Sequence, residues 1–592
     1  MPILGKVGRK SWATRATVTG IHVVLLIGSI VTVYPFLLML STSVTSSTDV
    51  EAFRPIPRYL TDHNALFGKV ADEKYAGDIS AINSDYGTDF ATLQAVIATT
   101  ERPHETQLFR DFLADLPSRF WTLGFRGYGH HPGLTQLNFR RAAQDRFKGD
   151  ISALNKAFGE QNETFLTVSL PPERPTARDW AWTGTPKEAF YQGFRDNAPV
   201  NKRVVVWVDP LFRRWLQAER YVGRPEKLEQ VWGPVEFVQL STGRPALPEQ
   251  GADWELYVRT RLPLRFVRPT DRSQAAFRQW MAAKYRGVTA LNRLAGAQYR
   301  SWQEIAVPTG EQAGVLLRDW GEFVATAASL ETVQIDSADN RWRAVAGPLP
   351  PPIYAFDSDT VMRSVGSLRW DYATRNYRHV FDFLAIQGRA VVVTIVYCAL
   401  VVLVAVTVNP LCAYALSRHN LKRGHQILIF LLATMAFPAE VVMIPNFLLL
   451  RDLGLLNTFW ALILPTAASG FAIFLLKGFF DSLPSELFEA AKLDGAGEVQ
   501  MFRIITIPLS RPVLAVISLE AFIAAYGAFL FAMLVCQDRS MWTIMVWLYQ
   551  LQQTSPQYIT MAALVLAAIP TLLIYMLAQK SILRGIVVPI EK

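Results

Sequence analysis

The sequence predicts a membrane protein, all-α within the bilayer, that carries a large external α/β insert. Three observations predict it: a shortage of charge, apolar runs long enough to cross a bilayer, and an internal repeat confined to the stretch between the first two of those runs. Of the 592 residues, 51% are hydrophobic and 18% charged. Soluble domains carry roughly 25% charge, so the shortfall is about 40 residues. Six helices of about 20 apolar residues would remove roughly 30 of them, which excludes a wholly soluble or wholly disordered chain. The net charge of +9 marks no nucleic-acid partner, because the basic residues flank apolar runs or are scattered among acids. Cys398, Cys412 and Cys536 lie in or beside apolar runs without CxxC or Cys/His spacing, so they read as packing residues, with no metal site, disulfide framework or cofactor expected.

The first apolar run, 21–40, follows Lys6, Arg9, Lys10 and Arg15 and exceeds the apolar core of a secretory signal, so a retained helix with a cytoplasmic N-terminus is expected. The next runs fall at 390–414, 427–450, 459–476, 512–535 and 559–578, giving six spans. Arg418, Lys422 and Arg423 then lie in a cytoplasmic loop, and Lys580, Arg584 and Lys592 in a cytoplasmic tail, as the positive-inside rule requires. The same topology puts 477–511 inside and 45–385 outside. The expected organisation is therefore an N-terminal segment and first helix (1–44), an external insert (45–385) and a five-helix core (386–592).

The loop DSLPSELFEAAKLDGAGEVQMFRIITIPLSRP after the fourth span is the most informative stretch. Ser485 is placed to cap a short helix from Glu486, and Gly495 to end it. Leu487, Ala490, Ala491 and Asp494 fall at helical spacings, so two small alanines lie on a surface that a partner can approach closely. Pro508 and Pro512 are expected to interrupt helicity before the fifth span.

Glu489-Ala490-Ala491, Gly495 and Ile505-x-Ile507-Pro508 resemble the EAA loop of binding-protein-dependent ABC importers, and LPSELFEAAKLDGA with FRIITIPLSRP resembles the maltose-type carbohydrate permease subunit. VYPFLLMLSTSV (33–44), CAYALSRHNLKRG (412–424), IPNFLLLRDLGLLNTFWALILP (444–465) and QKSILRG (579–585) resemble the same family, so the likeness covers 1–50 and 370–592. It implies a six-helix type I ABC importer permease core in the cytoplasmic (inner) membrane. It also implies that Glu489, Ala490, Ala491, Asp494, Gly495, Ile505 and Pro508 couple to a cytoplasmic ATPase dimer, Glu489 meeting a basic group and Gly495 permitting a close turn. A second permease subunit, a soluble substrate-binding protein and membrane lipid complete the implied partners. Where the family usually has a Trp-Asn-Asp-like stretch in the fifth span, this chain has Tyr526-Gly527-Ala528.

Gly5 to Ser11 has a passing likeness to a phosphate-binding loop, but the glycine spacing is wrong and no strand precedes it. Nucleotide hydrolysis is therefore expected on the partner. Ionisable residues inside spans are costly, which makes Glu440 and Glu520 candidates for the translocation path, with Asn446, Ser469 and Tyr526 as polar neighbours. The alternative for each acid is a packing and hydrogen-bonding role toward an aqueous cavity or a partner helix.

Within the insert, Tyr75 to Asn83 with Gly87 aligns to Phe147 to Asn155 with Gly159, to Tyr221-Val-Gly223 with Leu228 and Gly233, and to Tyr285-Arg-Gly287 with Leu291-Asn292 and Gly296. Asp78 and Asp150 are placed to cap short helices, and Gly87 and Gly159 to end them. Each copy reads as helix, strand, helix, short helix and strand-like tail (FLTVSLP, EIAVP), so an array of about four small α/β modules is expected. With no cysteine, it is expected to be held by apolar packing alone. Its aromatic residues read as core, Trp215 and Trp280 above all, or as a sugar-stacking surface. His130-His131 reads as a loop rather than a metal pair. Residues 275–308 resemble a helical stretch of some β-galactosidase-like glycoside hydrolases but bring no catalytic carboxylate pair.

The function expected is that of a permease subunit of an ATP-driven importer taking up a carbohydrate or glycoside, without enzymatic activity of its own. The alternative is a membrane-tethered glycan-binding or glycan-processing protein acting through the insert. The insert itself reads as a docking platform for the binding protein, a substrate-capturing or structural domain, or that enzyme.

Overall fold

A computed structural model describes residues 12–585 apart from 47, 51–53, 101–104, 129–130, 309, 311–312, 388, 420 and 435–436. The candidate phosphate loop at 5–11, His130 and the tail beyond 585 lie outside the described residues. The chain forms two compact units, Arg58–Arg369, and the remainder through Pro57 and from Trp370 onward.

In the 58–369 unit one order of elements recurs: helix, short helix, 3-10 turn, helix, 3-10 turn, three-residue strand. The first pass runs α2 (His63–Lys74), α3 (Ile79–Tyr86), α4 (Glu105–Asp115) and β1 (Trp121–Leu123), followed by the two-residue ladder of β2 (Gly127–Tyr128) and β3 (His131–Pro132). The second runs α5 (Leu134–Arg146), α6 (Ile151–Phe158), α7 (Pro186–Asp196) and β4 (Arg203–Val205). The third runs α8 (Val208–Trp215), α9 (Pro225–Trp232), α10 (Pro248–Thr260) and β5 (Val267–Pro269). The fourth runs α11 (Asp271–Tyr285), α12 (Val288–Ala295), α13 (Val315–Thr326) and β6 (Val333–Ile335), and α14 (Ala338–Ala346) and α15 (Ile353–Arg363) follow. The strands pair antiparallel, β1 with β4 and β5 with β6, Trp121 opposite Val205 and Val267 opposite Ile335.

The recurrence has a local cause. Asp78 accepts from the amides of Ser80 and Ala81, and Asp150 from those of Ser152 and Ala153. Gly87, Gly159 and Gly296 end their helices at φ 66°, 68° and 63°, where a side chain would be strained. Asn83, Asn155 and Asn292 each clasp the residue seven further on, the amide of Asn292 donating to Tyr299 O at 2.8 Å while its oxygen accepts from Tyr299 N at 2.9 Å. The strand-like tails form no strand: 3-10 turns at Phe165–Thr167 and Trp302–Glu304 follow the clasp, and irregular chain continues from each.

Apolar packing does not hold this unit alone. Lys74 meets Asp357 at 2.7 Å, Arg220 meets Asp253 at 2.6 Å and Lys284 meets Asp319 at 2.9 Å, each acid buried near the start of α15, α10 or α13. Tyr86, Tyr221 and Tyr285 donate to the same three acids. A buried carboxylate needs such partners because losing its hydration is costly. The partner of the first copy comes from α15, at the other end of the unit, so the array closes on itself; Arg369 Nε donates to Tyr59 O at 2.9 Å at the same closure. Trp215 is buried against Phe212, and Trp280 is half-buried with its ring stacked on Phe277.

In the other unit, α1 (Trp12–Ser43), α17 (Ala390–Arg418) and α28 (Gln557–Gly585) are long and apolar enough to cross a bilayer. Between them come α16 (Val365–Phe381), which belongs to this unit from Trp370 onward, then α18 (Gly424–Thr434), α19 (Ala439–Asp452), α20 (Phe459–Ile463), α21 (Gly470–Asp481), α22 (Ser485–Leu493), α23 (Glu498–Gln500), α24 (Ile507–Leu509), α25 (Arg511–Gly527), α26 (Leu530–Val535) and α27 (Ile544–Thr554). Three expected spans are broken. The run 427–450 divides into α18 and α19 around Pro438, and 459–476 bends by 51° between its 3-10 turn and α21. The run 512–535 ends α25 at Gly527 and restarts as α26. Pro438 denies a backbone donor. Asn376 donates to the carbonyls of Ser43 and Thr45 at 2.9 and 2.8 Å, tying α16 to the end of α1. Cys398 and Cys536 are buried, Cys412 half-buried, and all three are free thiols.

Candidate coupling site

The site is built on α22. The helix begins at Ser485, one residue earlier than expected, with Pro484 at the boundary and no side chain capping it. A proline there carries no donor to satisfy and fixes an extended entry. At the other end the amide of Gly495 bonds to Lys492 O (3.1 Å) and that of Ala496 to Ala491 O (2.9 Å), with Gly495 at φ 82°. This pair of bonds is the Schellman ending, and it needs a residue without a side chain at the left-handed position. A Cβ on Gly495 would meet nothing within 4 Å, so the demand is conformational.

Phe488 holds the helix in place. It is buried in a cluster with Ala413, Tyr414, Ile473, Leu476, Phe480 and Met501. The Arg418 guanidinium sits 3.8 Å over its ring and donates to the carbonyls of Phe480 (2.6 Å) and Leu483 (3.3 Å), so one cation satisfies the end of α21 and clamps α22. Tyr414 donates to Glu498 at 2.9 Å and packs edge-on to Phe502. Neither Phe488 nor Arg418 was singled out by the motif, although Phe488 and Ala491 share a helical face at i, i+3.

The opposite face is open. Glu489, Ala490, Asp494 and Gly495 are exposed, Ala491 is half-buried, and Leu493, Val499 and Ile504 are exposed by 90%, 70% and 70%. Among the described residues Glu489 makes no hydrogen bond or ion pair. Apolar groups bared beside a carboxylate are the composition of a contact surface. Ile505 and Pro508 are half-buried on the return. The chain does not break at the prolines as expected: helical turns run through Pro508 and the 81° bend falls at Ser510, whose buried hydroxyl donates to Thr506 O. Pro512 sits in the first turn of α25, where a missing amide costs nothing, whereas Pro508 lies within the continuous helical run that ends at the bend.

The five candidate path residues do not form one cluster of contacts. Glu440 (first turn of α19) and Glu520 (α25) are exposed, and Asn446 is half-buried. Ser469 caps α21, accepting from Ala472 N, while its own amide donates to Asn409 Oδ1 at 2.9 Å. Tyr526 is buried, stacks on Phe522 and donates to Ala567 O at 2.6 Å, joining α25 to α28.

Comparison with known proteins places this region in context. The family described as "Binding-protein-dependent transport system inner membrane component" matches residues 408–588. The chain is 37% identical over 227 residues to the polygalacturonan/rhamnogalacturonan transport system permease protein YtcP of Bacillus subtilis, covering 35% of this chain and 78% of that one. It is 31% identical over 254 residues to Protein LplC of the same organism, covering 40% and 84%. Against the sn-glycerol-3-phosphate transport system permease protein UgpE of Yersinia pestis it is 37% identical over 188 residues, covering 31% and 66%. A solved bacterial ABC transporter involved in the import of the acidic polysaccharide alginate is 28% identical, covering 35% and 78%, with a TM-score of 0.31.

Proposed function

The chain belongs to the family of binding-protein-dependent transport system inner membrane components, and from that premise we propose that α22 is the lever through which ATP hydrolysis drives its spans. The protein is a permease subunit of an ABC importer for carbohydrate uptake, a multi-pass membrane protein. A glycan-processing role is not favoured, since the relatives are transport permeases.

The observation that carries the lever is the two-sidedness of α22. Phe488 and Arg418 fix one face to α17 and α21, while Glu489, Ala490, Leu493 and Asp494 are left outward. Two ATPase subunits docked below would grip that face, Glu489 meeting a basic group. A push there passes through the Phe488 seat into α17 and α21 and tilts them as rigid bodies. In this reading both termini and the 477–511 loop lie in the cytoplasm, and the 45–385 insert lies outside as an array of four modules. A second permease subunit completes the path, and a soluble binding protein delivers substrate. Ser469 and Tyr526 are committed to capping α21 and joining α25 to α28, so Glu440, Asn446 and Glu520 are the better candidates to face the path.

Gly495→Asp tests the lever. The variant is expected to insert normally and to lose uptake by at least about tenfold, a residue other than glycine at this φ costing about 1–2 kcal/mol. Normal uptake in vesicles by the inserted variant would overturn the assignment.

A further inference from the structure

Within the 58–369 unit lies a cavity of about 760 Å³. Clefts that hold small ligands run from roughly 300 to 1,000 Å³. Three arginines line it from three separate passes of the repeat: Arg119 ahead of β1, Arg195 on α7 and Arg265 ahead of β5. Arg195 and Arg265 are 3% and 4% exposed. Guanidinium groups so far from water need compensation, and the acids behind Arg195 and Arg119 are shared with further arginines. Glu173 serves both Arg195 (2.8 Å) and Arg126 (2.5 Å), and Asp336 serves Arg119 (2.5 Å), Arg341 (3.1 Å) and Arg268 (3.5 Å). Arg195 Nε donates no hydrogen bond among the described residues, and Asp196, the acid that also lines the cavity, lies 3.9 Å from it.

A second source of positive potential faces the same space. The twelve-residue helix α13 begins on the cavity wall, where Gly314, Val315, Leu316 and Leu317 are lining residues, and among the described residues no side chain caps its first turn. Free amides at a helix start attract anions. Trp182 and the half-buried Tyr299 supply aromatic wall to the same cavity.

We propose that this cavity binds a carboxylate-bearing oligosaccharide, one containing uronate sugars, with Arg195 and the first-turn amides of α13 holding the carboxylate. A planar guanidinium fork matches a carboxylate, and the aromatic wall suits the apolar face of a sugar ring. That the anion is carried on a sugar rests on the carbohydrate-importer reading; that the cavity takes an anion does not. The insert is then a capture site for the acidic end of the cargo.

The test uses the full chain in detergent, without partner subunits, and calorimetric titration with trigalacturonate, galactotriose or inorganic phosphate. Two variants add a negative charge to the wall without disturbing the fold: Gln192→Glu is isosteric, and Leu316→Asp places an acid in a first turn where it suits the helix. Trigalacturonate is expected to bind at least about tenfold more tightly than galactotriose, and each variant to weaken it at least about tenfold with an unchanged melting temperature. Absent or equal trigalacturonate binding, or binding indifferent to both variants, would overturn the proposal. Phosphate that competes as well as trigalacturonate would overturn its sugar part. None of these readouts involves transport, so failure here leaves the permease assignment standing, and an intact lever in Gly495→Asp would leave this site standing.

Discussion

In the 58–369 unit charge is carried inward, Lys74, Arg195, Asp253 and Asp319 being buried and paired, whereas in the membrane unit Glu440, Glu489 and Glu520 are exposed and apolar faces turn outward. The most apolar window of α1 has 0% of its residues buried, that of α28 17% and that of α17 33%. One unit buries its ionic contacts within its own chain; the other leaves apolar helix faces uncovered. Stability in the first should therefore answer to single ionic partners, and activity in the second to the few groups that seat its loop.

The largest effect is expected from Lys74→Met, which removes the ion pair and leaves the buried Asp357 with the Tyr86 hydroxyl still donating to it. Removing one member of a buried pair costs about 3–5 kcal/mol, so the tryptophan-reported melting of this unit should fall by roughly 10 °C. An unmoved transition would erase the contrast. Phe488→Ala should cost about 3 kcal/mol locally and cut uptake at least tenfold while that same transition stays put; a shift in both would mean that the two regions are not energetically separate.

A smaller effect follows from pH. Burial, reinforced by the nearby Asp209 carboxylate, pushes the Asp339 carboxyl up to about 7, and burial does the same to Asp85. A raised carboxyl pKa favours the protonated folded state. That contribution is full below the ordinary value near 3.8 and is lost as pH rises through about 7. Melting of the 58–369 unit should thus fall by a few degrees between about pH 5 and pH 8, and Asp339→Asn should flatten the slope. A slope kept by that variant would assign the effect elsewhere. The smallest change, about 1–2 kcal/mol, is expected for Asn376→Ala, which strips a donor from two carbonyls; it should lower detergent stability of the membrane unit only, read by differential scanning.

Local chemistry was legible in the sequence. The caps Asp78 and Asp150 and the left-handed glycines Gly87, Gly159 and Gly495 act through neighbours within a few residues, so spacing reveals them. What was missed is tertiary. Arg418 acts on Phe480, Leu483 and Phe488, and Asp357 acts on Lys74 across the whole unit, and no periodicity in either segment reports such partners. The bend was misplaced for a related reason. Prolines mark where a helix can begin as well as where it stops, and at Pro512 the first meaning holds, while the helix runs through Pro508. Apolar runs likewise marked the long helices α1, α17 and α28 but not the breaks at Pro438 and Gly527 in other runs.

The meeting of Tyr59 with Arg369 has an architectural consequence. A domain whose entrance and exit touch can be spliced into a connection between two helices, or cut out of it, without stretching the backbone on either side. New termini could equally be opened at an exposed turn such as the one at Gly223, with the old ends fused by a few residues, and the same closed circuit of helices should assemble from the rearranged gene.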